Sequence, residues 1–345
     1  MTRRRTASAV FSISLLVTVA CAGEDTQTQD GGQTGGGERA SVTMLIDFFP
    51  SGNHSPFYSA EAEGFFEEQN LDVSIEHVIG GTEVIKTIVA GQAEFGYADF
   101  ASMAVANQNE DAGLMAVMGI LQQSPMSILS PAANGIESPA DLKGKQIVDF
   151  AGSSTQVVWP VFLEENGLSE EEINLELVDP ATRLTLVVQG RADASVGFFT
   201  DNEPQLREQC DCDVNVLKWK DLGISSLSNG IVVSQEYMEE NPDVVERFVA
   251  AITDGLTFTR DNPEAAVDDL IDLKGADLGV PRDVTLAQTL NELTLVTTAN
   301  GGGDPPGLMT EEDWQSTIDL MVAAGQMDAP EDIAVFYTNE FIPGS

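Results

Sequence analysis

The stretch Val42-Thr-Met-Leu-Ile-Asp-Phe48 decides the fold, because it has a counterpart in Gln146-Ile-Val-Asp-Phe150 about a hundred residues later. In each copy a run of strand length ends in an acid and an aromatic residue, and a polar loop and a helix follow. Val89-Ala-Gly-Gln-Ala-Glu94 recurs in the same way as Val188-Gln-Gly-Arg-Ala-Asp193. The interval of about a hundred residues between the two copies is too long to be the repeat of a solenoid protein. The pattern predicts two similar α/β lobes, with chance similarity between α/β units as the alternative.

Two segments are placed to cross between these lobes. Residues 112–129 are apolar, and Asn229-Gly-Ile-Val-Val-Ser234 has the composition of a returning strand. Two crossings make lobe 1 discontinuous, with residues 42–128 and 230–345, and make lobe 2 an insert of residues 129–229. In open α/β sheets ligands bind outside the carboxyl ends of the strands. We therefore expect a ligand in the cleft between the lobes.

The N-terminus predicts export. Residues 3–5 are arginines, and the apolar run that follows them is too short to span a bilayer comfortably. Residues 1–20 therefore resemble a secretory signal peptide, with secretory and twin-arginine export both left open. Thr18-Val-Ala-Cys21 resembles a lipobox, which predicts a lipidated Cys21, whereas cleavage at a nearby position is the alternative. Residues 21–41 have the composition of a flexible tether.

These features predict a location outside the cytoplasmic membrane. The protein would be anchored to the outer face of the cell membrane by the lipid on Cys21, or would be periplasmic, and the anchor would be its only contact with the membrane. The chain of 345 residues has 56 acids against 16 Lys and Arg, a formal charge of −40. This excess argues against nucleic acid as a partner and favours a monomer.

Motifs for catalysis are missing from the sequence. No H-E-x-x-H, Walker loop, G-x-S-x-G or paired C-x-x-C occurs, and there are only two His. The sequence thus predicts a protein that is not an enzyme and has no metal site and no cofactor. Cys210 and Cys212 either form a small disulfide or remain two thiols.

Two polar loops at strand ends form the candidate binding site. Residues 51–55 and 152–155 each open a helix, whose free N–H groups suit carbonyl or anionic groups of a ligand. Flanking aromatic rings would sandwich an aromatic ligand, and Asp47 and Glu203 would accept hydrogen bonds from its amino groups. The alternatives are helix capping for the hydroxyls and core packing for the rings. The predicted ligand-binding residues are Asp47, Phe48, His54, Tyr58, Ser153, Ser154, Thr155, Trp159, Phe198 and Glu203.

The opening motif also carries a family resemblance. Asp47-Phe-Phe-Pro-Ser-Gly-Asn-His-Ser-Pro-Phe-Tyr58, followed by Glu63-Gly-Phe-Phe66, resembles periplasmic binding proteins of the ThiY-like, SsuA-related type. The resemblance covers roughly residues 42–343. It implies a type II periplasmic-binding-protein fold, a small-molecule ligand, and an ABC permease with its ATPase subunits as partners. Further segments that carry it are Val89-Ala-Gly-Gln-Ala-Glu-Phe-Gly96, Pro139-Ala-Asp-Leu-Lys-Gly-Lys145, Val245-Glu-Arg-Phe-Val-Ala-Ala251 and Tyr337-Thr-Asn-Glu-Phe341.

Within that family the branch with Gly-Asn-His binds pyrimidine precursors of thiamine. The resemblance therefore implies a hydroxymethyl- or formylaminopyrimidine as ligand, although Phe48 stands where that branch usually has Trp. Related branches bind riboflavin, alkanesulfonates, taurine or nitrate, and these remain alternatives. Neither cleft loop contains Arg or Lys, which counts against a fully charged ligand.

An enzyme branch of the same family is the alternative of a different class. This fungal branch makes the thiamine pyrimidine with a cysteine-rich motif, an active-site His and a pyridoxal-binding Lys. His54 matches the position of that His. The cysteine cluster is missing, and no Lys occurs between Val42 and Ile85.

Overall fold

The computed structural model describes residues 39–224, 226–296 and 305–345. The predicted signal peptide (1–20), the predicted lipidation site Cys21 and residues 22–38 of the predicted tether lie outside these ranges. The strands are β1 Ala40–Ile46, β2 Leu71–His77, β3 Phe95–Asp99, β4 Leu114–Gly119, β5 Met126–Pro131, β6 Gln146–Asp149, β7 Asn174–Leu177, β8 Ala194–Phe198, β9 Val214–Lys218 and β10 Asn229–Ser234.

Helices fill the segments between and after these strands. None of those within the described ranges is both long and apolar enough to cross a bilayer. Short 3-10 turns also occur, among them Gly52–His54. The α-helices are α1 Ser55–Ala62, α2 Phe65–Glu68, α3 Gly81–Val89, α4 Phe100–Glu110, α5 Ser154–Glu165, α6 Arg183–Val188, α7 Phe199–Cys210, α8 Gln235–Glu240, α9 Pro242–Asp261, α10 Pro263–Lys274, α11 Arg282–Leu293 and α12 Glu311–Ala323.

The strands form two five-stranded sheets with the same internal order. The lobe 1 sheet runs β2-β1-β3-β10-β4, and the lobe 2 sheet runs β7-β6-β8-β5-β9. In each sheet the fourth strand is antiparallel to both neighbours, whereas the first three are parallel. That fourth strand is the first one formed after the chain crosses from the other lobe. Two matching α/β sheets confirm the predicted fold class.

The observed strands move three of the predicted boundaries. Strand β5 begins at Met126, so the second sheet begins before residue 129. Asn229, assigned to lobe 2 from sequence, opens β10 of lobe 1 and pairs with Asp99. Ala40 and Ser41, assigned to the tether, are in β1, because the full length of β2 needs them as partners. The rest of the predicted division of the chain into two lobes stays a prediction.

Aromatic packing holds helices α9 and α2 of lobe 1 against its sheet. The rings of Phe95 in β3 and Phe248 in α9 stack with centroids 3.8 Å apart. The sequence predicts one helix from Ser55 to about Gln69, but Gly64 adopts a φ of +82° and separates α1 from α2. A left-handed residue cannot continue a right-handed helix. This break lets Phe66 pack against the ring of Phe248.

The C-terminal segment packs across both lobes. Helix α12 contacts α4 of lobe 1 and α5 of lobe 2. Its Trp314 stacks on Phe100 and on Tyr337, and Tyr337 forms a bridge to Ala116 on the outer strand β4. Residues 305–345 therefore brace the lobes on one side, and they leave the carboxyl ends of the strands free for a cavity.

Candidate functional site

A cavity lies between the lobes where the central strands end. It measures about 590 Å³, counting the part that is open to solvent. Residues that follow β1 and β6, together with the last residues of β3 and β8, contribute to its wall. The part of it that the centre of a water molecule can reach is about 70 Å³, so the two walls stand close together in this arrangement.

Most of the residues predicted for ligand binding line this cavity. Lobe 1 supplies three of them, and lobe 2 supplies four. They are Asp47, Phe48 and His54 from lobe 1, and Ser153, Ser154, Thr155 and Phe198 from lobe 2.

Two predicted aromatic residues are instead part of the core. Tyr58 is buried in α1 under Lys274, whose ammonium lies 4.9 Å from the ring centroid. Trp159 stacks on Phe162 in α5 and lies near Trp219. Both side chains belong to hydrophobic core clusters. Neither lines the cavity.

Glu203, which the sequence predicts as a ligand-binding residue, also lies outside the cavity wall, for a different reason. It pairs with Arg207 at 3.0 Å on the outer side of α7 and does not line the cavity. The acid that α7 supplies is Asp201 in its first turn, beside Asn202. Adjacent helical residues are about 100° apart, so a shift of two positions reverses the direction of the side chain.

Two phenylalanines, one from each lobe, meet across the cavity. The rings of Phe48 and Phe150 have centroids 5.6 Å apart and planes inclined at 42°. These are the aromatic residues of the two echoed strand ends, so the internal duplication places the same residue type on both walls. A planar ligand ring between them needs a centroid separation of about 7 Å, two van der Waals contacts of about 3.5 Å each. The lobes must therefore separate to admit such a ring.

On lobe 1 the carboxylate of Asp47 has two polar neighbours. Asn229 donates a hydrogen bond to one oxygen at 2.8 Å, and Nε2 of His54 lies 3.7 Å from the other. The backbone N–H of Ser51 donates to Nδ1 of His54, which assigns the ring proton of neutral His54 to Nε2. The carboxylate is thus fixed at the end of β1, in reach of the cavity.

On lobe 2 the corresponding acid, Asp149, is fully engaged by protein groups. The hydroxyls of Ser153 and Thr155 donate to one carboxylate oxygen at 2.8 and 2.6 Å. The other oxygen accepts from the N–H of Phe150 and lies 3.5 Å from Nη1 of Arg183. Burial raises the pKa of Asp149, and the Arg183 guanidinium opposes that rise. Asp149 and Arg183 thus form a buried pair of opposite charges that compensate each other.

Helix α11 joins the two walls at one side of the cavity. The side-chain oxygen of Gln288 accepts from the N–H of Gly52 in lobe 1, and its amide donates to Asp201 of lobe 2. Glu292 accepts from the hydroxyl of Tyr97. Burial raises the pKa of both acids, Asp201 and Glu292, and for Asp201 the nearby His54 and Arg183 work against the rise.

The two cysteines that the sequence singles out, Cys210 and Cys212, do not line the cavity. Cys210 and Cys212 form a disulfide at the end of α7, which answers the question that the sequence left open. In the part of the chain that the structure describes, no group of three or more His, Cys, Asp and Glu is arranged to hold a metal ion.

Comparisons with known proteins agree with this architecture. A family model described as NMT1/THI5 like matches residues 51–266. The chain belongs to this family. It is also similar in structure to the periplasmic aliphatic sulphonate binding protein SsuA from Escherichia coli, with a TM-score of 0.63, 19% identity and coverage of 86% of this chain and 91% of that one. The predicted resemblance to SsuA-related proteins and the predicted periplasmic-binding-protein fold are confirmed.

Three curated relatives differ in what they do. Riboflavin-binding protein RibY from Chloroflexus aurantiacus is 27% identical and covers 88% of this chain and 86% of its own. A formylaminopyrimidine-binding protein from Halalkalibacterium halodurans is 23% identical, covering 84% and 87%. The pyrimidine phosphate synthase THI13 from Saccharomyces cerevisiae is 23% identical, covering 68% and 71%. The family thus contains binding proteins and enzymes.

Several cavity residues were not predicted from the sequence. The sequence offers a signal for Phe150, because this residue occupies the position of Phe48 in the second copy of the repeat. Arg183 and Asp201 had none, since each lies on the first turn of a helix whose orientation depends on tertiary packing. Ser51 and Asn53 belong to a loop that was predicted as a whole, without a role for either side chain.

Proposed function

We propose that this chain is an extracytoplasmic solute-binding protein of an ABC importer, and that its lobes close on a small aromatic heterocycle. The observation that carries this proposal is the pairing of Phe48 and Phe150 across the cavity. Rings in this position offer a ligand two aromatic faces, and Asp47 offers a hydrogen-bond acceptor at the edge. A ligand that touches both lobes only when they are closed favours the closed state.

The first candidate ligand is a thiamine pyrimidine precursor, either a hydroxymethyl- or a formylaminopyrimidine. The Gly52-Asn-His54 motif and the formylaminopyrimidine-binding relative support it. Riboflavin is the second candidate, because RibY is similar over most of both chains. The larger flavin ring system would use the same aromatic walls after a wider opening of the lobes.

The charges in the cavity argue against a sulfonate, taurine or nitrate ligand. Arg183 is compensated by Asp149, and the hydroxyls of Ser153 and Thr155 donate to that same carboxylate. Asp47 and Asp201 add negative charge nearby. An anion would therefore meet a neutralised guanidinium and two acids, whereas a neutral ring with amino groups would meet acceptors.

A pyrimidine-forming enzyme is a weaker candidate. His54 lines the cavity, but no Lys or Cys of the described residues does so. A synthase that holds pyridoxal through a lysine would need one there. The absence of this group from the cavity wall supports binding rather than synthesis.

The remaining parts of the proposal concern delivery. Residues 1–20 would direct export, and a lipid on Cys21 would hold the protein at the outer face of the membrane, with residues 21–39 as tether. The folded body would then present its closed form to the permease as a monomer.

Titration calorimetry of the purified protein tests this function. The panel is 4-amino-5-hydroxymethyl-2-methylpyrimidine, its formylaminomethyl analogue, riboflavin, taurine and nitrate. We expect one of the heterocycles to bind with micromolar or tighter affinity and the two small anions not to bind. Binding of the anions alone would overturn the assignment of a heterocycle.

A further inference from the structure

Two buried polar atoms in the cavity wall lack a hydrogen-bond partner. They are Nε of Arg183 and Oδ1 of Asn53, and neither has a partner among the described residues. Arg183 is 4% exposed and Asn53 is 6% exposed. A buried donor or acceptor without a partner destabilises the folded state, so each such atom in a folded protein calls for an explanation.

The rest of each side chain is held firmly. Nη2 of Arg183 donates to the side-chain oxygen of Asn202 at 2.8 Å, and its guanidinium lies 5.2 Å from the ring centroid of Phe150. Gly197 leaves space for this hydrogen-bonded pair, since a Cβ there would overlap Oδ1 of Asn202 and lie 3.2 Å from Nη2 of Arg183. The unpartnered Nε–H is therefore not the end of a mobile side chain.

Asn53 approaches the same region from the other lobe. Its amide nitrogen donates to the hydroxyl of Thr200 at 3.1 Å, which leaves its oxygen without a partner. Arg183 and Asn53 both line the cavity, so its wall contains an unpartnered donor from lobe 2 and an unpartnered acceptor from lobe 1.

We propose that Arg183 and Asn53 select the ligand, and that they select an amide or imide group, which carries a C=O acceptor and an N–H donor on neighbouring atoms. The inference rests on the proposed function, because it concerns the ligand of the same cavity. Arg183 would donate to the carbonyl oxygen, and Asn53 would accept from the adjacent N–H. A carbonyl suits Arg183 better than an anion does, since Asp149 already compensates its charge.

Two ligand sources share this chemistry. One is the formylamino group of a substituted pyrimidine, and the other is the cyclic imide of a flavin ring. A hydroxymethylpyrimidine has no carbonyl group. If the ring amino group and ring nitrogen of a pyrimidine bound these two residues instead, the hydroxymethyl and formylamino compounds would bind equally well.

Calorimetry with matched ligands tests the inference on the unmodified protein first. The pyrimidine pair is 4-amino-5-formylaminomethyl-2-methylpyrimidine and its hydroxymethyl analogue, and the flavin pair is riboflavin and 3-methylriboflavin, which lacks the imide N–H. We expect the amide or imide member of one pair to bind at least about tenfold more tightly than its partner. Equal affinity within both pairs would overturn the selection of an amide.

Substitutions then assign the preference to the two residues. Arg183→Lys keeps the charge beside Asp149 but removes the fixed N–H fork. It should weaken binding of the amide ligand about ten- to a hundredfold, as expected for a hydrogen bond from a charged group, and change that of the hydroxymethyl analogue less than about threefold. Asn53→Ala should reduce the preference in the same direction. Arg207→Lys, on the outer side of α7, is the control and should change neither affinity.

The outcomes separate this inference from the proposed function. Equal losses for both members of the pair in Arg183→Lys would make Arg183 structural and overturn the inference alone. If no heterocycle binds the unmodified protein, the proposed function fails and the inference fails with it. If Arg183→Lys does not fold, as judged by its circular dichroism, Asn53→Ala and the matched ligands decide.

Discussion

At the scale of single residues, Asp201 is a buried acid of the cavity wall that side chains of both lobes contact. It accepts hydrogen bonds from the side chains of Gln288 and Asn202 at 2.6 and 2.8 Å. Its neighbour Glu203 faces outward and pairs with Arg207. Two acids on one helix, two positions apart, thus have different environments, and they form a matched pair for substitution.

Asp201→Asn should weaken binding of the heterocycle about ten- to a hundredfold, because the substitution removes a buried carboxylate that orders the cavity wall and faces the ligand. Glu203→Gln should leave affinity unchanged, since an exposed ion pair contributes little. Calorimetry of both variants with the best-binding heterocycle measures the difference. Equal effects of the two substitutions would show that Asp201 is not part of the site.

At the scale of elements, α4 begins on a buried acid. Asp99 ends β3 and caps α4, with one carboxylate oxygen accepting from the N–H and hydroxyl of Ser102. The other oxygen has no partner among the described residues. Burial raises the pKa of Asp99 to about 6, and the bonds from Ser102 limit the rise.

This pKa predicts how stability depends on pH. The pKa of Asp99 in the folded state lies above its usual value of 3.8, so on acidification the folded protein binds a proton at Asp99 before the unfolded chain does. The resulting stabilisation is fully present below pH 3.8 and is lost as pH rises through about 6. Asp99→Asn keeps the cap and removes the titration. Its stability relative to the unmodified protein should therefore rise by about 1.4 kcal/mol between pH 5 and pH 8, by linkage.

Urea unfolding of both proteins at the two pH values measures that change. The other acids titrate in both proteins, so their contributions cancel in the comparison. A stability difference that is the same at pH 5 and pH 8 would contradict a raised pKa at Asp99.

Some features of the fold and of the site could be predicted from the sequence, and others could not. Strands β1 and β6 and the loops after them were predictable, because a repeated apolar run, an acid and an aromatic residue identify both lobes. The direction of a side chain in α5 or α7 was not. Trp159 and Glu203 have the right residue types for a site, but the phase of each helix turns them away from the cavity. The sequence gives no sign that Arg183 belongs to the site, because its position depends on how α6 packs beside Asp149.

At the scale of the whole molecule, two glycines in the cavity wall lie close to the other lobe. A Cβ on Gly80 would lie 2.4 Å from the carbonyl oxygen of Gly152, and one on Gly81 would lie 2.9 Å from Oγ of Ser154. Gly81 is the first residue of α3 and does not adopt a positive φ. Alanine at position 81 therefore suits lobe 1 by itself and obstructs only the approach of lobe 2.

Gly81→Ala should lower the melting temperature measured without a ligand and weaken ligand binding less than about threefold, because the added Cβ meets Oγ of Ser154 in the arrangement in which Phe48 and Phe150 touch, and a ligand ring separates the lobes. Adding Ser154→Ala removes the atom that the new Cβ meets. The double variant should therefore regain the melting temperature of Ser154→Ala alone. Calorimetry and thermal unfolding of the three variants check this, and a melting temperature that Ser154→Ala does not restore would refute the role of this contact.

A crystal structure of the protein with its best-binding heterocycle tests the central claim most directly. The measured quantity is the separation of the Phe48 and Phe150 ring centroids, which is 5.6 Å in the structure described above. We predict a ligand ring between them, a separation of about 7 Å, and Asp47 within hydrogen-bond distance of the ligand. A ligand bound elsewhere, with these two rings still in contact, would contradict the account.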